Sequence, residues 1–340
     1  MPVSVLVSEV LLMLYIESGS NSPYYNFALE YYLMTEKLFD DMVFLFWRTT
    51  PTLMVGKFQN TYSEIDLDYA RSRKIQLVRR LSGGGTIYTD MGSWQFTFIS
   101  PNRTSSPSIE FTGFIQPIVA AVRDLGADAS FNGRNDLVVS GKKFSGNAQY
   151  IKNGRTLHHG SILFDTNLEE MVRASTVDPQ KVISKGIKSV RDRVTNLKEH
   201  LPRPLSMEEF KAIMIDRILG NDGTEYILTT EDQKRILLIR QEQFDNPQKI
   251  FGANPRCQLH LKKYFPGAGT IHSHIDVEKG QIRQLHIFGD FFGDIDLEEI
   301  RSCLLLCPYT KEEVRKRLQS LSSPSAIYGL TKEDLVAALF

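Results

Sequence analysis

Cysteine is scarce in this chain of 340 residues, which has three, at positions 257, 303 and 307. An odd number of cysteines in a long chain fits a reducing compartment better than a disulfide framework. The residues before Cys257 contain no thiol at all. Covalent catalysis through a cysteine is therefore excluded from that part of the chain.

An excess of charge of either sign is also lacking, because 40 Lys and Arg residues balance 40 Asp and Glu residues. A chain with no net charge has no general attraction for polyanions. The composition therefore argues against general binding of nucleic acids and against adsorption on a membrane surface. Any charged ligand must be met by a local group of residues.

A long hydrophobic run is missing as well. The apolar stretch at 3–16 is interrupted by Ser4, Ser8 and Glu9, and no basic residue precedes it. A secretory signal needs a basic start and a cleavage site of small residues, and a bilayer span needs about 20 apolar residues. We therefore expect a cytoplasmic protein, with residues 1–12 as a loose extension.

Hydrophobic periodicity predicts two α+β domains. The large domain, residues 1–250, has a mixed or largely antiparallel sheet, and the small α+β domain comprises residues 251–340. Their linker is expected at 246–255, where turn-forming residues lack periodicity. Predicted strands are 43–48 with 52–56, 75–80, 86–89 with 94–100, 136–140, 143–151, 156–164, 257–264, 269–277 and 281–288. Predicted helices are 26–37, 64–73, 108–125, several within 167–243, then 296–305, 310–319 and 331–339.

The connections between 136 and 164 are short. Ser140-Gly141 and Asn153-Gly154 separate consecutive strand patterns, and Asn-Gly is a strong hairpin signal. Consecutive hairpins build an antiparallel sheet. The sequence therefore argues against a parallel, doubly wound nucleotide-binding fold.

The run Arg79-Arg80-Leu81-Ser82-Gly83-Gly84-Gly85-Thr86-Ile87-Tyr88 is the densest functional signal. Consecutive glycines let the backbone approach a ligand and present N–H groups to phosphate or carboxylate oxygens. Arg80 beside them could pair with an anion through two hydrogen bonds. The run lacks the Lys-Ser/Thr of a P-loop. Taken alone, it is equally typical of a surface turn.

A second candidate lies at 135–148. Because side chains alternate along a strand, Lys143 and Ser145 face one side while Lys142 and Phe144 face the other. One lysine could therefore reach a phosphate, and Asp136 could bind Mg²⁺ together with phosphate oxygens. An exposed hairpin with solvated lysines is the alternative interpretation.

Histidines supply the remaining candidates. His158 and His159 are adjacent on a strand, so at most one faces a ligand, which argues against a two-histidine metal site. Packing is an equal alternative for this pair. A metal scaffold in the small domain is disfavoured because zinc sites normally show paired, close ligands. Its candidate ligands are Cys257, His260, His272 and His274.

The glycine run, the segment at 135–148 and the pair His158-His159, in this order, resemble the lipoate-protein ligase family. That family belongs to the larger group of biotin ligases and lipoyl or octanoyl transferases. The resemblance covers nearly the whole chain from about Leu14. The matching segments are 25–30, 79–90, 133–137, 143–148, 158–160, 188–197, 275–280 and 291–294. The chain departs from the family pattern at Thr89-Asp90, where His-Asp is usual, and at Gly92-Ser93, where Gly-Asn is usual.

The resemblance implies a two-step reaction, in which lipoate and MgATP give lipoyl-AMP and pyrophosphate, and the lipoyl group then passes to an acceptor lysine. It assigns ATP contacts to Arg80, Gly85, Thr86, Ile87, Tyr88 and Lys143. It assigns lipoate contacts to Ser82, Gly83, Gly84, Lys143 and His158. Lys143 is the expected catalytic residue and Asp136 the expected magnesium ligand.

The acceptors implied are lipoyl-domain proteins, namely the glycine cleavage H protein, the E2 subunits of 2-oxoacid dehydrogenases, or both. The enzyme is expected to be a monomer whose small domain swings between the two steps. Seven basic and two acidic residues at 181–203 could steer an acidic acceptor; a solvated charged face is the alternative.

Rival functions stay open at this point. A transferase that works through a cysteine thioester is disfavoured, because no cysteine precedes residue 257. A transferase that uses preformed acyl-AMP would keep the same pocket. A non-catalytic binder of lipoyl domains is the alternative from another class.

Overall fold

The computed structural model describes residues 12–102, 109–175, 192–252, 257–293, 296–321 and 327–340. Its strands are β1 Met13–Tyr15, β2 Met42–Trp47, β3 Thr52–Val55, β4 Gln76–Arg79, β5 Ile87–Thr89, β6 Ser93–Pro101, β7 Ala129–Phe131, β8 Asp136–Val139, β9 Lys142–Lys152, β10 Arg155–Leu163, β11 Thr224–Glu225, β12 Leu259–Phe265, β13 Gly269–Glu278 and β14 Gln281–Gly289. Its α-helices are α1 Pro23–Thr35, α2 Thr61–Glu64, α3 Leu67–Ser72, α4 Thr112–Asp124, α5 Leu168–Ala174, α6 Met207–Leu219, α7 Thr230–Ile239, α8 Pro247–Phe251, α9 Leu297–Leu304, α10 Lys311–Gln319 and α11 Lys332–Ala338. Within these ranges, no helix has the length and apolar character needed to cross a membrane.

An eight-stranded sheet forms the centre of the large unit, in the order β11-β1-β2-β6-β10-β9-β8-β7. It is antiparallel except where β1 pairs with β2 and with β11. The side chains of β2 alternate between two cores: Val43 packs with α1 and α7, whereas Phe44 packs with α4 and α6. Helices thus cover both faces, which explains why β6 and β10 are buried along nearly their whole length.

A second sheet of three strands, in the order β4-β3-β5, carries the glycine run between β4 and β5. The predicted pairs 43–48 with 52–56 and 86–89 with 94–100 are wrong, because β3 and β5 pair with each other in this second sheet. One strand of each predicted pair has no free edge for the predicted partner: β2 lies between β1 and β6, and β6 lies between β2 and β10. The chain therefore changes sheet at Pro51 and again between β5 and β6.

The hairpin strands β8, β9 and β10 are confirmed as antiparallel. The predicted three strands and three helices of the C-terminal part are also present, as the antiparallel sheet β12-β13-β14 and the helices α9 to α11. Lys279 and Gly280, both at positive φ, make the two-residue turn expected between β13 and β14. The mixed α+β fold predicted for the chain is therefore confirmed.

The C-terminal unit is attached to the large unit through the segment that follows β14. The Phe58 ring stacks on Phe291 with centroids 4.8 Å apart, and the Gly289 N–H donates to the Phe58 carbonyl at 2.9 Å. Part of the predicted linker is helical, since α8 occupies Pro247–Phe251, while residues 253–256 lie outside the described ranges. The segment that follows β14 is therefore fixed against the large unit.

Candidate functional site

The glycine run is held from inside by Arg80. Its guanidinium donates to the carbonyls of Met54 at 2.8 Å, Gly83 at 2.9 Å and Gly85 at 2.7 Å. Burial, followed by the charge of Arg79, lowers the pKa of Arg80 to about 10, so the side chain stays cationic at neutral pH. Among the described residues, no carboxylate forms an ion pair with Arg80. A buried cation paired only with carbonyls favours an incoming anion.

The back of the glycine run contacts the C-terminal unit. The Gly84 N–H donates to the Phe291 carbonyl at 3.1 Å, and a Cβ on Gly83 would lie 2.1 Å from that same oxygen. Gly84 has a φ of 92°, a conformation that L side chains rarely adopt. The sequence predicted that the glycines permit close approach to a ligand. At Gly83, the structure shows that the close approach is to another backbone.

Lys143 and Asp136 form an ion pair in the candidate site, with Nζ 2.6 Å from Oδ1. Asp136 at the start of β8 is opposite Gly146 on β9, and a Cβ on Gly146 would lie 3.1 Å from Lys143 Nζ. Phe144 points the other way and is fully buried in the core. The alternation predicted for this strand is confirmed, and Lys143 is the lysine that reaches the cleft.

Two adjoining cavities surround this ion pair. The first has a volume of about 270 Å³. Its lining includes every predicted ATP or magnesium residue except Tyr88: Arg80, Gly85, Thr86, Ile87, Asp136 and Lys143. The second, of about 360 Å³, is lined by Tyr88 and by apolar side chains such as Leu163, Met171 and Val172. Lys143 and Gly146 line both cavities, so Lys143 lies where the two halves of one cleft meet.

The structure corrects the choice of histidine. His158, predicted to bind lipoate, is fully buried on the opposite face of β10, where its ring stacks on Phe114 at 5.2 Å. Burial, with a smaller contribution from His159, lowers the pKa of His158 to about 3. His159 lines the first cavity instead. Both faces of β10 are covered, so burial alone could not identify the side that faces the cavity.

Two further residues predicted to bind lipoate, Ser82 and Gly83, are not among those that line either cavity, whereas Gly84 lines the first. Ser82 is fully buried and its hydroxyl contacts His159. Sequence reasoning missed Arg134, Asp290 and Phe292, which line the first cavity. Arg134 and Phe292 belong to the matching segments 133–137 and 291–294, and Asp290 directly precedes the second of these. The match gave none of the three a role.

Asp136 is the residue whose chemistry suits Mg²⁺. No group of three His, Cys, Asp or Glu side chains in the described ranges is arranged to hold a metal. Magnesium usually takes only one or two protein carboxylates and completes its octahedron with water and substrate phosphates. Asp136 and Asp290 are the two carboxylates that line the first cavity. One or two carboxylates fit a magnesium ion that arrives with a nucleotide, and do not fit a resident structural metal.

Comparison with known proteins identifies what the chain is similar to. Residues 22–219 match the family model for the lipoyl protein ligase A/B catalytic domain, and residues 254–339 match that for the bacterial lipoate protein ligase C-terminus. Lipoate-protein ligase LplJ of Bacillus subtilis is 36% identical over 333 residues, which span 96% of this chain and 100% of that protein. Lipoate–protein ligase 1 of Staphylococcus aureus is 37% identical over 315 residues, spanning 92% of this chain and 95% of that protein.

Solved structures agree in fold. P. falciparum LipL1 in complex with lipoate superimposes with a TM-score of 0.79 at 23% identity, covering 96% of this chain and 98% of that one. A bipartite lipoate protein ligase from Thermoplasma acidophilum, studied with its E2 lipoyl domain, superimposes with a TM-score of 0.62 at 25% identity. That match covers 73% of this chain and 99% of the other.

Proposed function

The chain belongs to the lipoate-protein ligase family, and on that premise we propose how its cleft performs ATP-dependent lipoate ligation. In the first step, a lipoate carboxylate oxygen attacks the α-phosphorus of ATP and pyrophosphate leaves. In the second step, the acceptor lysine amine attacks the acyl carbon of lipoyl-AMP, AMP leaves, and the amine loses a proton. Neither step needs a nucleophile from the protein.

The position of Lys143 at the junction of the two cavities is the observation that carries this proposal. Both steps pass through centres whose oxygens gain negative charge, first at phosphorus and then at the acyl carbon. A fixed ammonium beside the acyl-phosphate oxygens would stabilise both. Arg80 and Arg134, which line the first cavity, add positive charge for the phosphates.

The lining of the first cavity suits the acyl chain. Phe27, which contacts His159, and Met54 give it apolar lining, while Lys143 and Asp136 give it charged lining. We place the lipoyl chain along the apolar part with its carboxylate directed to Lys143. The second cavity, with Ile87, Tyr88 and Leu163, then takes the nucleotide base.

In this proposal, Asp136 is a ligand of the magnesium ion. When bound, the ion would supply charge neutralisation for the phosphates of ATP. The chain's own contribution is to hold Asp136 beside Lys143, so that a carboxylate and an ammonium are both available where the triphosphate enters.

A transferase that works through a thiol does not fit the structure. Cys303 Sγ and Cys307 Sγ contact backbone carbonyls in the C-terminal unit, and burial raises the pKa of both thiols. None of the three cysteines lines either cavity. Their free thiols accord with the reducing cytoplasm, which we propose as the location.

The acceptor we propose is a lipoyl domain, of the glycine cleavage H protein or of an E2 subunit. In the basic stretch at 181–203, Lys198 and Arg203 form ion pairs with Asp165 and Glu209. Lys181, Lys185, Lys188 and Arg191 lie outside the described residues. We also propose that residues 1–250 form the catalytic domain, that 251–340 form the accessory domain, and that the protein is a monomer.

The test uses the full chain with ATP, Mg²⁺ and lipoate. We expect exchange of pyrophosphate into ATP that depends on lipoate, and lipoylation of a purified lipoyl domain at one lysine, detected by mass spectrometry. A panel of H proteins and E2 lipoyl domains then identifies the preferred acceptor. Lipoylation only from synthetic lipoyl-AMP would instead assign the protein as a transferase that uses a preformed donor.

A further inference from the structure

A chain of buried polar side chains connects helix α1 to the glycine run. Ser82 Oγ lies 2.6 Å from His159 Nε2, and His159 Nδ1 lies 3.1 and 3.2 Å from the two carboxylate oxygens of Glu30. All three residues are at most 7% exposed. A buried carboxylate is costly unless its partners satisfy it, so this arrangement calls for a function or a strong structural reason.

The donors and acceptors in this chain can be assigned by starting from Trp47, which contacts Glu30 through Thr97. The Trp47 indole can only donate, and it donates to Thr97 Oγ1 at 3.1 Å. Thr97 in turn donates to Glu30 Oε1 at 2.6 Å. The Glu30 carboxylate accepts, so His159 Nδ1 carries the proton. In the neutral ring, Nε2 then accepts from the Ser82 hydroxyl.

A nucleophilic triad has the same hydrogen-bonded order of serine, histidine and carboxylate. The burial of Ser82 excludes that role, because its side chain is fully buried and lies outside the lining of both cavities. No substrate carbonyl could reach it. The hydrogen bond from Ser82 to His159 is therefore a tether, which ties the first residue of the run 82–85 to the central sheet.

The tether acts at a functional position. His159 lines the first cavity, and its ring packs edge-on against Phe27 with centroids 6.0 Å apart. The carbonyls of Gly83 and Gly85, shortly after Ser82, are two of the three that accept hydrogen bonds from Arg80. The Ser82 carbonyl also accepts from the Lys57 N–H at 2.9 Å, so loss of the side-chain tether would loosen the glycine run beside Arg80 without freeing it completely.

We propose that Glu30 is a positioning residue for adenylation, which acts through His159 on Ser82 and so fixes the glycine run at the cavity. The inference rests on the proposed function, because adenylation is its readout. Glu30 itself touches neither substrate in this proposal. Its effect requires Ser82, and that dependence separates a positioning role from a merely structural one.

The experiment is a double-mutant cycle on the full chain, with lipoate-dependent pyrophosphate exchange as the readout. We expect Glu30→Leu and Ser82→Ala each to lower kcat/KM by about tenfold. The kcat/KM of the double variant should lie within about threefold of that of the less active single variant, because the effects of residues that act as one unit do not add. Glu30→Gln keeps an acceptor oxygen at the Oε1 position and should retain activity within about threefold.

Glu30→Asp serves in the same cycle if Glu30→Leu does not fold, because the shorter side chain withdraws the acceptor from His159. Tyr32→Phe is the matched control: it removes a buried hydrogen bond from the same helix, to Asp232 at 2.6 Å, away from the cavity. We expect it to lower the free energy of unfolding without coupling to Ser82→Ala.

Additive losses, with the double variant about a hundredfold impaired, would overturn the positioning role. Detection of an acyl group on Ser82 by mass spectrometry would overturn it in favour of a nucleophile. Exchange by the wild-type protein tells a failure of the proposed function from a failure of the inference about Glu30. If it shows no lipoate-dependent exchange, the proposed function fails; if it does and the cycle is additive, only the inference about Glu30 fails.

Discussion

Lys143 Nζ lies 2.6 Å from Asp136 Oδ1, where the two halves of the cleft meet. Each charge is neutralised by the other until an anion enters. In the proposed function, a triphosphate would compete with Asp136 for the ammonium. The pair would then supply a cation for the α-phosphate and a ligand for the magnesium that accompanies ATP.

Loss of the ammonium should abolish adenylation while leaving the fold intact. Lys143→Ala removes a partly exposed side chain that contributes no core packing, so we expect normal circular dichroism and a loss of pyrophosphate exchange of about a hundredfold or more. Lys142→Ala, on the opposite side of the same strand, is the matched control and should retain exchange. Near-normal exchange in Lys143→Ala, with loss of exchange in Lys142→Ala, would show that the wrong lysine has been assigned.

Substitution of the neighbouring carboxylate should change the requirement for magnesium. In Asp136→Asn the amide is a poorer ligand for Mg²⁺, so the concentration that gives half-maximal exchange should rise by about tenfold. The exposed Asp128, which lies outside the cleft, supplies the control Asp128→Asn. An unchanged magnesium curve for Asp136→Asn would remove Asp136 from the metal site and leave it as the partner of Lys143 alone.

The position of Lys143 could be predicted from sequence because it depends on local rules. Alternation along a strand bounded by two tight turns separates Lys143 from Phe144, and both turns are visible in the chain. Strand pairing is different: β3 pairs with β5 across the glycine run, and nothing local distinguishes that partner from β2. Non-local pairing is decided by which edges remain free, and a single sequence does not contain that information directly.

The contribution of the C-terminal unit to the cleft was hidden for a similar reason. Asp290 and Phe292 lie more than 100 residues beyond the other residues that line the first cavity, and their approach depends on the docking of one unit on the other. The pair His158 and His159 could not be resolved because helices cover both faces of β10. Only the three-dimensional arrangement shows which face borders the cavity.

Docking of the C-terminal unit on the glycine run predicts a difference between two glycines. A Cβ on Gly83 would collide with the Phe291 carbonyl, whereas a Cβ on Gly85 would meet only the Asp290 Cβ, at 4.0 Å. Gly83→Ala should therefore lower the free energy of unfolding by about 1–3 kcal/mol. Gly85→Ala should leave it unchanged or raise it by about 0.4–1 kcal/mol, because alanine restricts the unfolded chain.

Chemical denaturation of the two variants side by side measures this difference. Equal stability of Gly83→Ala and the wild-type protein would mean that the contact with Phe291 is not maintained in solution. In that case the glycine run and the C-terminal unit would be separate in the substrate-free protein.

The buried His158 predicts a dependence of stability on pH. Its pKa is lowered to about 3, chiefly by burial, so the folded chain keeps this ring neutral while the unfolded chain protonates it below about 6.5. The unfolded state therefore binds more protons between these values. The contribution to stability is complete above pH 6.5 and is lost as the pH falls, at about 1.4 kcal/mol per unit.

His158→Leu isolates this contribution, because the substitution removes the titrating ring while the histidines of the C-terminal unit remain in both proteins. The lost hydrogen bond between His158 and Asn147 shifts the absolute stability of the variant but not its slope with pH. Between pH 7 and pH 5, the free energy of unfolding of the wild-type protein should fall by about 2 kcal/mol more than that of the variant. Parallel curves for the two proteins would show that His158 takes up a proton in the folded state. That would require water or an anion beside the ring, and the packing of the ring against Phe114 excludes both.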